Sequence, residues 1–428
     1  MPQWFLFNSG LTALRAQSVA FDNISNNIAN ATTPGFKAGS VRFQDLVASK
    51  NNGGGIEQLS GVNAVQQVFI GKEGIITGTG RQLDGAIAGS GFFVTNTSSD
   101  QTGAYELTDA GNFSEALVTV GGEERTYLTD IKGNFLLGYN ADPTTGQITV
   151  DTSGVTALEP IDVTRESALL GANATTRMEV VGNIPPDTAT GEEFEFDFTV
   201  VDGTGDADNV GDERVVTLTF AKTATNNTWN MTIGGTGGTV SAPAAQPLPV
   251  VFDAQGRLAS IDGTAGGTQD FTVDWTGPTA SNTITLDLSG FTQFAGPGAI
   301  DTVDIDGNVD GRLRDIFFGQ NGQIIGSFSN GVSRPIAQAA LGDVVAPERL
   351  NVVQGTHYTV SQNSGDITLY DFATTTRATF SPAALEQSTV DFASEFSDLI
   401  ITQRAYSSAA TTVRTVDEMT QTATNLKN

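Results

Sequence analysis

Side chains suited to chemistry are sparse in this sequence, and their spacing does not suit it. There is one histidine, His357 in "QGTHYTV", and no cysteine. Zinc sites, thiolate nucleophiles and disulfides therefore have no basis, and His357 reads as a surface or strand-packed side chain. The best candidate for a metal loop, "DTVDIDGNVDG" (301–311), resembles a calcium loop only superficially. With Gly307 at the sixth position, Thr302 and Leu313 would occupy the first and twelfth, where carboxylates belong. An Asp-Gly turn between strands is the expected reading there, and likewise for "GDADNVGDE" (205–213). Gly78-Thr79-Gly80 and the stretch Gly234–Gly238 open no helix and precede no Lys-Ser/Thr, so neither is a phosphate loop. No catalytic set, metal site or cofactor site is expected, and the chain does not read as an enzyme.

What remains is architecture. The net charge of −27 is uneven: residues 1–50 carry +2, residues 51–382 carry −26 and residues 383–428 carry −3. An acidic middle between near-neutral ends argues against nucleic acid or an anionic membrane as partner. No run approaches the roughly 20 apolar residues of a membrane span. The opening "MPQWFLFNSG" lacks a basic segment followed by a long apolar core, so no cleavable secretory signal is expected.

Residues 11–33 and 383–428 contain neither Gly nor Pro. Leu11, Leu14, Phe21, Ile24 and Ile28 recur at helical steps, with Asn8 or Ser9 as a candidate cap. At the other end Phe392, Phe396, Leu399, Tyr406, Val413, Val416, Met419, Ala423 and Leu426 do the same, and Ser388 with Asp391 suits a capping box. Both stripes are narrow, so the simplest burial is of one helix against the other. That pairing joins the chain ends and makes everything between them an insertion. On a helical wheel Asn23, Asn27 and Asn30 fall opposite Leu14, Phe21 and Ile28. Only Arg15 and Asp22 are charged between 11 and 33. A neutral amide face suits burial among neighbouring copies of the same helix. The closing helix is rich in Ser and Thr, which weaken an isolated helix. Both helices are expected to gain order by packing.

The insertion reads as strands. Period-2 alternation is clean in Phe194–Val200, Val216–Phe220, Trp229–Ile233, Phe271–Trp275 and Ile284–Leu288, separated by Gly, Asn and Pro clusters. Leu83–Thr95 and Tyr127–Tyr139 are further strand regions, and Asn321-Gly322 suits a type I′ hairpin turn. The expected fold is multidomain α+β: paired, coiled-coil-like terminal helices plus two mainly antiparallel β domains, the outer inserted in the inner. The expected boundaries are 1–32 with 386–428 for the helices, 33–78 with 378–385 for an extended connector, 79–160 with 296–377 for the inner β domain and 161–295 for the outer one.

Four segments resemble the flagellar axial family of rod and hook proteins. They are "SGLTALRAQSVAFDNISNNIANATTPGFKAG" (9–39), "LDGAIAGSGFFVT" (83–95), "YELTDAGNFSEA" with "YLTDIKGNFLLGY" (105–139), and residues 381–428 around Gln403-Arg404-Ala405-Tyr406. The resemblance covers both ends and the first inner β region but not 160–295. It implies a structural subunit that polymerises helically into a short curved tube, the universal joint carrying motor torque to the filament. Its length and large insertion fit a hook protein better than the alternative, a distal rod subunit. A secreted β-rich glycan-binding protein or enzyme would leave the paired helices without a role. The implied interface residues are Leu11, Leu14, Phe21, Asn23, Asn27, Ile28, Asn30, Phe396, Leu399, Gln403, Tyr406, Val413 and Leu426. Pro34, Gly35, Phe36 and Lys37 open the connector, and Phe43 with Val47 resemble the family's export-gate motif. The implied partners are the chain itself, the rod, hook-cap and hook–filament junction proteins, and the flagellar export apparatus. The implied location is extracellular, in the flagellar hook and basal body.

Overall fold

The computed structural model describes residues 2–45, 61–142, 146–164, 169–202, 211–276 and 281–425. They divide into two compact units: Met1–Thr164, Ile316–Gly326 and Arg334–Asn428 in the first, Arg165–Asp315 and Ser327–Ser333 in the second. The fold is multidomain α+β, with one long helix at each end of the described chain and mostly antiparallel sheets between them.

The second unit contains two stacked sheets. One orders Gly238–Ala242, Thr268–Trp275, Asn282–Asp287, Arg177–Asn183 and Ala299–Ile305; the other runs from Glu193–Val201 through Glu213–Lys222, Thr228–Thr236 and Leu248–Phe252 to Leu258–Ile261 and Thr264–Ala265. Alternate residues of each point inward, so Met178, Val180, Val216, Leu218, Phe220, Trp229, Met231, Phe271 and Ile284 form one closed core. Arg177–Asn183 runs parallel to Asn282–Asp287, and Asn183 also bridges Thr292 in parallel, within a mostly antiparallel unit. The expected edge at residue 295 lies inside this unit. Ala299–Ile305 pairs along Arg177–Asn183, from Met178 with Ile305 to Asn183 with Ala299. In the loop that follows, the Asp306 carboxylate accepts hydrogen bonds from the amides of Thr176 and Arg177 at 2.8 and 2.9 Å, so it ties this loop to the start of the strand Arg177–Asn183 and does not close the local Asp-Gly turn expected.

The first unit takes residues from both sides of the insertion. Phe93 and Phe113 meet edge to face at 5.1 Å, Phe380 packs on Phe93 at 6.2 Å, and Phe318 and Phe372 close on Phe380 at 5.2 and 5.5 Å. All but the tilted Phe318–Phe380 pair are T-shaped, which matches the ring quadrupoles. The strand Phe92–Asn96 pairs with Tyr105–Thr108, which pairs with His357–Thr359. At the Asn321-Gly322 turn both residues have positive φ, 57° and 69°, as a type I′ turn requires.

α1 spans Pro2–Ala29 and α2 spans Phe392–Asn425. α1 starts earlier than its Gly-free stretch suggested, so Asn8 and Ser9 lie inside it and do not cap it. Pro2 at the first helical position needs no hydrogen-bond donor, and the helix tolerates Gly10 for a reason given below. α2 is capped by Asp391, whose Oδ1 accepts from Ala393 N at 2.9 Å and Ser394 N at 3.2 Å. Ser388, expected as the cap, instead turns back on Val390 N.

The connector also differs from the extended segment expected. β1 (Gly39–Asp45) and β2 (Val62–Val68) form an antiparallel pair, Gly39 opposite Val68 and Asp45 opposite Val62, packed along α1. The glycines and asparagines around 50–55 obscure this alternation in the sequence. β3 (Ile76–Gly78) then pairs with Ala384–Glu386. These bonds place the helices and the inner β region, expected as separate domains, in one unit.

Candidate assembly interface

The helices run antiparallel, as two contacts far apart along them show. A Cβ on Gly10 would stand 2.6 Å from Val413 Cγ2, and Asn27 Nδ2 donates to Glu395 Oε1 at 2.8 Å. Apart from Ile24, the described residues that α1 buries are small or amide-bearing: Gly10, Ala16, Ala20, Asn23 and Asn27. On α2 the least exposed described positions are Glu395, Leu399, Thr402, Ala405, Ala409, Ala410, Val413 and Val416, spaced three or four apart except for the adjacent Ala409 and Ala410. This seam is narrow and close-packed, and small side chains make the close approach possible.

The asparagines are placed differently from the sequence expectation. Asn27 is 1% exposed and Asn23 5%, so neither forms an outer face for other copies. Asn27 Oδ1 accepts from Gly39 N at 3.0 Å, while its Nδ2 donates to Gly39 O at 2.8 Å and to Glu395. Asn23 Nδ2 donates to the same Gly39 O at 2.9 Å and its Oδ1 accepts from Gln66 Nε2 at 2.8 Å. The two amides therefore mimic peptide groups and clamp β1 to the helix pair. Burial raises the Glu395 carboxyl above its ordinary value, against the lowering effect of the Asn27 bond. Asn30 closes the last turn, donating to Asn26 O at 2.9 Å.

Of the large apolar side chains in the two stripes, Ile24, Leu399, Val413 and Val416 join the seam, whereas the aromatic ones lie outside it. Leu11, Leu14, Ile28, Leu399 and Val413 are half-buried. Phe21 is 39% exposed, Phe396 49% and Tyr406 47%, and Phe392, Ile400, Ile401 and Met419 are exposed too. Phe392 and Phe396 stack on each other at 5.9 Å. Phe21, Gln403 and Tyr406 line one shallow groove with Ser18 and Ser407. Leu426 and Val47 lie outside the described residues, while Phe43 stands on β1, exposed. Helical periodicity alone could not distinguish the inner seam from an outer apolar face. The Ala, Gly and Thr positions at the same spacing were the overlooked signal.

The connector residues come together. Gly35 has φ +71°, and a Cβ there would meet Ala110 N at 2.7 Å. Its amide donates to Glu386 O at 2.8 Å, and Thr389 N donates to Phe36 O at 3.0 Å. Pro34 is half-buried beside them, and Lys37 is buried. His357 is strand-packed and 2% exposed, its Nε2 2.7 Å from Asp130 Oδ2, while Asp130 Oδ1 accepts from Lys132 N and Asn134 N. That arrangement fastens a turn and leaves no ring nitrogen open to a substrate.

Three family profiles match the chain in order: the flagella basal body rod protein over 7–37, the flagellar basal body protein FlaE D2 domain over 207–308, and the flagellar basal body rod FlgEFG protein C-terminal over 381–426. Full-length relatives include the flagellar hook protein FlgE of Treponema pallidum, 28% identical with 98% of each chain covered. That of Salmonella typhimurium is 27% identical, covering 98% of this chain and 100% of its own. The solved hook protein FlgE2 of Helicobacter pylori aligns over 71% of this chain and 98% of its own at 12% identity and TM-score 0.47, too distant to carry weight. The matched profiles frame the two helices and the inserted unit, and the whole-length relatives are hook proteins: the chain belongs to the flagellar rod and hook protein family, as a hook-type structural subunit and not an enzyme.

Proposed function

We propose that this subunit polymerises with copies of itself into a short curved tube, a universal joint, and that the exposed apolar side of its helix pair is the face neighbouring copies cover. The observation that carries this is the file of Phe392, Phe396 and Ile400 along α2, with Phe21 and Tyr406 beside it, all exposed on a helix pair whose inner seam is already filled. Large contiguous apolar surface on a soluble chain marks an interaction site. Coverage by identical helices repeats without limit when the contact is head to tail, which yields a helical polymer. The inserted sandwich, closed around its own core, suits sliding contacts between copies that let a tube bend. The distal-rod reading has less support, since the full-length relatives are hook proteins.

Location outside the cell, export without a cleaved signal, and contacts with rod, cap and junction proteins belong to the same proposal. They rest on family membership and on the spacing of Phe43 and Val47. The direct test is Phe396→Glu with Ile400→Glu. Both side chains are half-exposed, so the monomer is expected to keep its helical circular dichroism while tube formation, followed by sedimentation and electron microscopy, is lost. Tubes as abundant as those of the parent chain would overturn the proposal.

A further inference from the structure

Lys37 lies at the centre of the junction, inside the first unit. Its Nζ is 2.7 Å from Glu386 Oε1, 3.1 Å from Asp109 Oδ2 and 3.0 Å from Lys72 O. All three charged side chains are more than nine-tenths buried. They come from three chain segments: the exit from α1, the turn after Tyr105–Thr108, and the strand Ala384–Glu386 leading to α2. The cluster therefore ties the entering and leaving chains to the β region.

Its electrostatics do not balance. Two carboxylates share one ammonium where water is scarce, and removing charge from water is costly unless pairing is nearly ideal. Glu386 has the better position: it takes the shorter contact and also accepts from the Gly74 amide. Asp109 Oδ2 makes no aligned hydrogen bond despite its closeness to Lys37. The Tyr358 hydroxyl, buried nearby, is also without a hydrogen-bond partner among the described residues. A cavity of about 180 Å³ adjoins the cluster, carrying Glu73, Asp343 and Arg377 on its wall. The groups around Asp109 are thus Lys37, Glu386 and Tyr358, with those three on the cavity wall and Glu348 on the Gly71 amide. In all, the carboxylates of Asp109, Glu386, Glu73, Asp343 and Glu348 outnumber the cations Lys37 and Arg377, and Arg377 is 3.9 Å from Asp343.

We propose that Lys37, Asp109 and Glu386 form a proton-operated clasp, closed tightly when Asp109 carries a proton and loosened when it gives that proton up. In the closed form Lys37 serves Glu386 alone, and a neutral Asp109 meets no uncompensated charge. Loss of the proton to water leaves a second buried anion beside Glu386. Burial, and then Glu386, push the Asp109 carboxyl up to about 7, against the pull of Lys37. Burial opposes the charged form of Lys37 as well; once Asp109 is ionised, Asp109 and Glu386 together outweigh it and hold Lys37 above its ordinary value.

The sign follows from linkage. An opened junction exposes Asp109 to water, where it ionises near 3.8, while the closed junction holds the proton to about 7. Opening is therefore favoured as pH rises between those values and levels off above the higher one. The test is hydrogen exchange by mass spectrometry on the full-length protein, reading peptides over 33–40, 70–78 and 384–390. After correction for the intrinsic pH dependence, opening should rise from pH 5 to 7, by up to about tenfold per unit. It should then flatten. Asp109→Asn should abolish the rise and keep these peptides protected at pH 8. Glu386→Gln, which removes the competing carboxylate, should move the transition to lower pH. A parent profile without the rise overturns the proposal, as does an Asp109→Asn profile that keeps it. If Asp109→Asn does not fold, the Glu386→Gln shift decides alone, and an unmoved midpoint is the negative result.

Discussion

At the scale of single residues, the helix pair depends on what is small. Gly10 sits in mid-helix, where glycine costs about 1 kcal/mol relative to alanine. It has no positive φ to explain it. Its reason is Val413, whose Cγ2 occupies the space a Cβ would need. Gly39 is similar: a Cβ there would stand 2.5 Å from Asn23 Oδ1, so only glycine lets two asparagine amides reach one backbone. Gly10→Val is therefore a sharp test, because propensity and packing predict opposite signs. Propensity alone predicts a gain. Packing predicts a loss of about 1–3 kcal/mol from overfilling the seam. The loss should be partly reversed by Val413→Gly in the same chain. Thermal unfolding followed at the helical circular dichroism band reads both. A stabilised single variant, or a loss the second substitution leaves untouched, would show that the helices do not meet there.

At the scale of elements, α2 is held in an unusual way. Ser407, Thr411, Thr412, Thr415, Thr420, Thr422 and Thr424 each donate the side-chain hydroxyl to the carbonyl four residues back, at 2.7 to 3.0 Å. Their donors are satisfied within the helix, so they contribute methyl and hydroxyl oxygen to its surface without needing a partner. Such back-bonding slightly weakens a helix. Replacing exposed Thr411, Thr412 and Thr415 with alanine should then raise helicity, by roughly half a kcal/mol each. Far-UV circular dichroism of the full-length chain should show the gain. Unchanged or lower helicity would mean that these hydroxyls support the helix.

The same element shows what could be read from sequence and what could not. The sandwich strands were legible because one face is buried and the other wet, so Glu213–Lys222 alternates in burial as it does in residue type. The helices themselves were legible for the same kind of reason. Their seam was not. In a chain built to assemble, the largest apolar side chains, Phe396 and Ile400, face outward, while Ala405, Ala409 and Thr402 fill the space between α1 and α2. On the assembly proposed above, hydrophobicity marks the surface that neighbours cover, while residue size marks the packing within the chain. The Lys37 cluster was only a third visible. Asp109 and Glu386 stand 72 and 349 positions from Lys37, and nothing local marks either as its partner.

At the scale of the whole molecule, the two units depend on different kinds of core. The inserted unit closes its own sandwich with residues of 178–291. The first unit needs chain from both sides of the insertion, since Phe93 and Phe113 pack with Phe318, Phe372 and Phe380. Removing the inserted unit should therefore leave the first intact, provided the ends on either side stay close. The variant replaces Arg165–Asp315, all of the inserted unit except Ser327–Ser333, with a short Gly-Ser linker and keeps Phe318 in place. Its monomer should keep the helical signal and unfold in one transition. The parent, with two separate cores, should unfold in more than one step. Because the exposed file on α2 is retained, the shortened chain should still form tubes. Those tubes should lose the parent's curvature, since the outer contacts between copies are gone. Electron microscopy distinguishes the outcomes. Straight or irregular tubes support a division in which the helices hold the polymer and the sandwich shapes it. A variant that stays folded and monomeric would assign assembly to the sandwich as well, and that division would have to be abandoned.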